Sequence, residues 1–228
     1  MFKSKYSNFL TIVLVVALIA ILAIATILVV NVYKKHKNDS DAIKAIEKLD
    51  NNIGNEDTSD GNTANGEGFV EQNVVASSKD NTSIQTGKTR NVTYYPNTKF
   101  VMIGYIEIPK INIKYPVLEQ ETVASLEKSV AVRYPSYAKL NQKGNVVIAG
   151  HNYRNGQFFS NLKNVTVGDT IKMTDENGQT LTYTVYEVYE TTPEDTAYIT
   201  RNVGDNIEVT LVTCTDNNNA RIIVKAKV

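Results

Sequence analysis

The chain holds a single cysteine, and the residues around it are spaced for chemistry. Cys214 ends the alternating run "EVTLVTC", and Arg221 opens the next run, "RIIVKAKV", after the polar loop "TDNNNA". Side chains alternate across a strand, so Ile207, Val209, Leu211 and Thr213 share one face while Glu208, Thr210, Val212 and Cys214 share the other. The first set is the better core face. In the second run the apolar face is Ile222, Val224, Ala226 and Val228. If the two runs pair antiparallel across the loop, Cys214 opposes Arg221, Thr213 opposes Ile222 and Val212 opposes Ile223. That register puts both apolar faces on one side, as a half-buried hairpin requires. A sulfur and a guanidinium then face each other as a cross-strand pair, on the side away from the core.

Such a pair has uses. An adjacent cation favours thiolate over thiol. The same guanidinium can donate hydrogen bonds to the oxyanion of a tetrahedral intermediate. A nucleophilic cysteine also needs a proton partner. The chain has two histidines, and His151, after the apolar run "NVVIAG", is the one outside the N-terminal quarter. The order, histidine before cysteine, is not that of papain-like proteases, and no "CGSCW" context occurs. Singly, each residue has an ordinary explanation: an inert buried thiol, a histidine in a turn, a solvated arginine at a strand start. Their conjunction is not ordinary.

The elements that must position these groups differ sharply along the chain. "FLTIVLVVALIAILAIATILVV" (Phe9 to Val30) is 22 residues without a charge, and a bilayer core is crossed by about 20 helical residues. A cleaved signal peptide has a shorter apolar region of ~7–15 residues. The segment therefore predicts an uncleaved membrane anchor over residues 9–32, behind a short terminus at 1–8. Lys3 and Lys5 flank one end and Lys34, Lys35 and Lys37 the other, so the lysine count slightly favours the C-terminal side inside, but that rule weakens for long translocated domains and orientation stays open. Residues 33–92 are dominated by Asp, Asn, Ser, Thr and Gly and predict a flexible polar stalk. Within it "DAIKAIEKLD" spaces Ile43, Ile46 and Leu49 for a short helix. Residues 93–228 predict one mostly β domain, a barrel or sandwich, with a hairpin turning at Asn177-Gly178 and a helical stretch near "TVASLEKSVA". With 24 acidic and 24 basic side chains, nothing points to nucleic acid. One cysteine forms no internal disulfide, and Cys and His are too few for structural zinc.

Taken together, these residues resemble a known family. "TLVTC" followed at seven residues by Arg221 is similar to the TLxTC-plus-arginine signature of the sortases. "VVIAGHNYRNGQFFSNLKNVTVGDTI" resembles their histidine segment, and "IGYIEIPKINIKYPVLE" their opening strands. The resemblance implies a closed eight-stranded β-barrel with short helices over residues 93–228. It implies a cysteine transpeptidase on the outer face of a Gram-positive membrane, with the N-terminus cytoplasmic. Cys214 is the implied nucleophile, His151 the acid and base, and Arg221 the oxyanion and substrate group, with Thr213 a further substrate contact. The implied partners are secreted proteins bearing an LPxTG-like C-terminal sorting signal and an amine acceptor from a cell-wall precursor. No cofactor is implied. Among class A members some carry a calcium site; no convincing acidic cluster carries it over, and calcium activation stays open. The "GHN" is similar to class B members and the compact domain to classes A and D, so the subclass stays open too. Two other readings compete: a membrane-tethered, non-catalytic β domain that binds cell-wall polymer, and a hydrolytic cysteine protease with the same three residues.

Overall fold

Helix α1 (Lys5–Gly54) runs unbroken for 50 residues. The computed structural model describes residues 5–54 and 92–228. From Phe9 to Val32 the helix is exposed on every side and apolar, and it includes a window of mean hydropathy 3.4, long and apolar enough to cross a membrane. A helix that is hydrophobic all round needs an apolar surrounding.

The predicted flexible stalk is corrected over residues 33–54. No proline or glycine interrupts the segment before Gly54, so nothing ends the helix where the apolar span ends. One stripe of it docks on the β domain: Lys35, Asn38 and Asp39 are partly covered, and Ala42, Ala45, Ile46 and Leu49 are buried. Those positions recur at i, i+3, i+4 and i+7, the period of one helix face. The buried stripe is built on two alanines, and Ile43, which the sequence suggests for it, is exposed. Ala45 and Leu49 join Tyr95, Met102, Leu118 and Ala131 in a cluster outside the barrel. The rest of the expected stalk, residues 55–91, lies outside the described residues.

The β domain has strands β1 (Thr93–Tyr94), β2 (Val101–Ile108), β3 (Ile113–Leu118), β4 (Val130–Tyr134), β5 (Gly144–Ala149), β6 (Thr170–Asp175), β7 (Thr180–Thr191), β8 (Ile207–Cys214) and β9 (Arg221–Lys227). They run in the order β2-β3-β4-β5-β8-β9-β7-β6, and β6 pairs back on β2. The result is the expected closed eight-stranded barrel, with β1 a two-residue addition to β2. Closure leaves no long free edge. Two contacts are parallel, β3 with β4 and β5 with β8; the others are antiparallel. Inward-facing Ile106, Val117, Ile148, Leu211 and Val224 are among the side chains that fill the barrel.

Local sequence explains the turns. Gly178 sits at φ 83°, a region that favours glycine, and the Asp175 carboxylate accepts from the backbone N–H of Asn177 and Gln179 to close the β6–β7 hairpin. Helix α2 (Val123–Leu126) starts where Thr122 and Ser125 cap each other reciprocally.

The closing hairpin pairs as its alternation dictates: Cys214 opposite Arg221, Thr213 opposite Ile222, Val212 opposite Ile223. Its other face is less open than alternation alone suggests. Glu208, Thr210 and Val212 are buried as well, because the β7–β8 connection folds over them. Tyr198 and Ile199 from that connection pack on Val147, Ala149, Val212 and Ile223. The cover stops short of Cys214, which is partly exposed.

Candidate active site

Three adjacent strands deliver the three candidate side chains. Strand β5 runs parallel to β8 in a register that ends with Ala149 beside Val212. The two chains stay tied beyond that point. The Gly150 N–H donates to the Val212 carbonyl at 3.1 Å, and the Thr213 hydroxyl donates to the Gly150 carbonyl at 2.7 Å. The Asn152 side-chain amide donates to the Cys214 carbonyl at 2.9 Å. His151 is therefore held between two residues that are both bonded to the end of β8. On the other side of β8, Arg221 opens β9 directly opposite Cys214. Histidine, cysteine and arginine follow one another across β5, β8 and β9.

The glycine before the histidine has a steric reason. A Cβ at Gly150 would lie 2.7 Å from Phe159 Cδ2 and 2.9 Å from Val130 Cγ1. The chain can pass that point only without a side chain. Beyond it, the loop folds back so that the Phe159 N–H donates to the His151 carbonyl at 3.1 Å. The imidazole stacks at a tilt on Tyr153, with ring centres 4.9 Å apart. Burial lowers the His151 pKa from its usual 6.5, and the carboxylates of Glu127 and Glu121 oppose that shift. The Arg221 guanidinium is partly exposed and donates to the Ala220 carbonyl at 3.2 Å.

Thr213 lies at the end of β8, next to Cys214. It is 3 % exposed, and its hydroxyl is engaged by Gly150, so it ties the ends of β5 and β8 together. Asn152, not singled out by the sequence, bridges the Cys214 carbonyl and the Asp216 carboxylate with its side-chain amide. Its position directly after His151 was the available signal. Asp216 is also held by Lys163, which fixes the start of the β8–β9 loop. Among the described residues no three His, Cys, Asp or Glu side chains group so as to hold a metal ion.

A thiol, an imidazole and a guanidinium at one end of a barrel form a set suited to acyl transfer. A family model for the sortase domain matches residues 106–228, which contain all three. The chain belongs to the sortase family. Sortases are transpeptidases, and the relatives bear out the assignment. Sortase A of Staphylococcus aureus is 32% identical over 129 residues, covering 54% of this chain and 60% of that protein. Sortase D of Bacillus subtilis is 30% identical over 111 residues, covering 49% and 53%. The matched part thus spans less than two thirds of either protein's length. Among solved structures, a sortase D5 transpeptidase of Clostridium perfringens is similar at 35% identity, with 55% of this chain and 78% of that one covered and a TM-score of 0.50. Sortase A of Corynebacterium diphtheriae is similar at 30% identity, 58% and 63% coverage and a TM-score of 0.51.

Proposed function

We propose that this sortase cleaves an LPxTG-like sorting signal and transfers the protein to a cell-wall amine through Cys214. The thiolate of Cys214 attacks the carbonyl carbon of the Thr–Gly amide, forming a tetrahedral intermediate whose oxyanion Arg221 stabilises. As the C–N bond breaks, His151 gives its proton to the leaving amine, and the acyl group remains on sulfur as a thioester. An incoming amine then attacks the thioester, His151 takes up its proton, and the Cys214 thiolate leaves. Water in place of the amine gives hydrolysis. The observation that supports this reading is the bonding of Gly150 and Asn152, the two neighbours of His151, to the end of β8, where Cys214 pairs with Arg221.

The same reading places helix α1 across the membrane with its N-terminus inside and the barrel outside, where secreted substrates and wall precursors meet. The membrane-crossing window of α1 supports the anchor. Sortase A and sortase D relatives, and a β7–β8 connection without a helix, favour a class A or D type over class B.

The test uses the full chain in detergent micelles with quenched LPxTG and NPxTN peptides, with and without an amine acceptor. The wild type is expected to cut one peptide, form a thioester adduct and transfer to the amine, and Cys214→Ala to do none of these. Arg221→Lys is expected to lower kcat/KM by ~10²-fold, the scale of losing one oxyanion donor, because an ammonium cannot reproduce the planar fork. Absence of cleavage and of adduct in the wild type refutes the enzyme reading. Hydrolysis with every acceptor tried makes the protein a protease.

A further inference from the structure

The turn of α1 just past its apolar span touches the loop that carries His151. Lys35 Nζ donates to the Asn155 carbonyl at 2.7 Å, and the Gln157 amide donates back to the Lys35 carbonyl at 3.2 Å. Gln157 is 3 % exposed and also lies 3.5 Å from Asp39 Oδ1, while its backbone N–H and side chain are both held by Asn155. A second route is aromatic. The Tyr115 hydroxyl donates to Asp39 Oδ1 at 3.0 Å. The Tyr115 ring meets Phe158 edge-on at 5.1 Å, Phe158 meets Tyr153 at 5.7 Å, and Tyr153 meets the His151 ring at 4.9 Å. An unbroken series of contacts runs from the membrane helix to the imidazole.

We propose that the Lys35–Asp39 turn of α1 positions His151, with Asp39 and Gln157 as positioning residues, so that the membrane helix is a working part of the catalytic unit. This rests on the role given to His151 above. The mechanism is simple packing: a loop clamped at 155, 157 and 158 has fewer conformations open to it, and general acid–base chemistry depends on geometry at the ångström scale. Asp39 has no contact with the reacting groups and acts only through the loop. The charged and titratable groups around the imidazole are Glu127 at the end of α2 and Glu121 before it, whose charges act on it, Tyr153 in the loop itself, and Cys214 and Arg221 from the ends of β8 and β9.

The test is a titration of the His151 imidazole by NMR in the full chain in micelles, with His36→Gln so that one histidine remains. Asp39→Ala and Gln157→Ala are expected to loosen the loop, rehydrate the ring and move its titration upward toward 6.5. Asp39→Asn keeps the acceptor for Tyr115 and Gln157 and is expected to restore the wild-type titration. Glu47→Ala, on the exposed face of α1, is expected to change nothing. In peptide turnover, Asp39→Ala is expected to lower kcat by about tenfold with KM unchanged, a loss of orientation rather than of binding. A folded Asp39→Ala and Gln157→Ala whose His151 titrates as in the wild type overturn the proposal. If Asp39→Ala does not fold, Tyr115→Phe removes the hydroxyl's bonds to Asp39 and to the Phe158 backbone, both links of this route, with the same two outcomes. The titration needs no sorting peptide. A shifted titration in a protein that cuts nothing therefore upholds the positioning and refutes the proposed function.

Discussion

Two opposing influences set the charge of His151. Burial favours the neutral ring, and Glu127 and Glu121 favour the imidazolium; burial is the larger. A base whose pKa is lowered by folding binds fewer protons folded than unfolded just below pH 6.5. Its contribution to stability is therefore complete above pH 6.5 and is lost as the pH falls through the window between 6.5 and the lowered value. Urea midpoints measured across that window should fall faster for the wild type than for His151→Gln, and the two slopes should agree above it. Glu127→Gln removes one of the opposing charges and should lower the titration of His151 further. At this scale the cysteine and arginine were legible, because a period of two fixes which residues face each other across a hairpin. Asn152 showed only its place after His151, because its bond to the Cys214 carbonyl exists only once β5 and β8 lie parallel, a pairing no local pattern encodes.

Among the elements, the β7–β8 connection depends on a buried charge. Arg201 donates to Glu208 Oε2 at 2.8 Å and to the Tyr186 hydroxyl at 3.0 Å, and Glu208 is 6 % exposed. Asn145 and Thr210 complete the group beneath the connection. Removing one member of a buried pair strands the other without a counter-charge. Arg201→Met should cost about 3 kcal/mol, the lower end for buried pairs because the arginine keeps some exposure, read as a shift in the urea midpoint of the full chain. Adding Glu208→Gln neutralises the stranded carboxylate and should recover most of the loss. Alternation sorted the hairpin correctly, yet it assigned Glu208 to an open face. A period-two pattern reports which residues share a side; it does not report that a later loop covers it. The docking of α1 was half visible: Ile46 and Leu49 marked a helix, but the other half of its stripe is Ala42 and Ala45, residues too small to stand out in a polar segment.

For the whole molecule, the decisive feature is that α1 does not break between the apolar span and the barrel. Lys35 lies five residues beyond Val30, about 7.5 Å along the helix axis. A continuous helix has a phase as well as a length, and a barrel clamped to it inherits that phase. Each residue inserted between Val32 and Tyr33 would turn the barrel by about 100° around the membrane normal and lift it by ~1.5 Å, leaving every docking contact intact. One inserted alanine should thus leave turnover of a soluble peptide unchanged and reduce that of a substrate held in the same bilayer. Four insertions bring the barrel back to within about 40° of its original azimuth, ~6 Å higher, and should restore much of the loss. Proteoliposomes holding enzyme and substrate together would measure it, and indifference to all the insertions would mean the barrel swivels freely. With α1 across the bilayer as proposed, the helix dictates which compass direction the candidate active site faces.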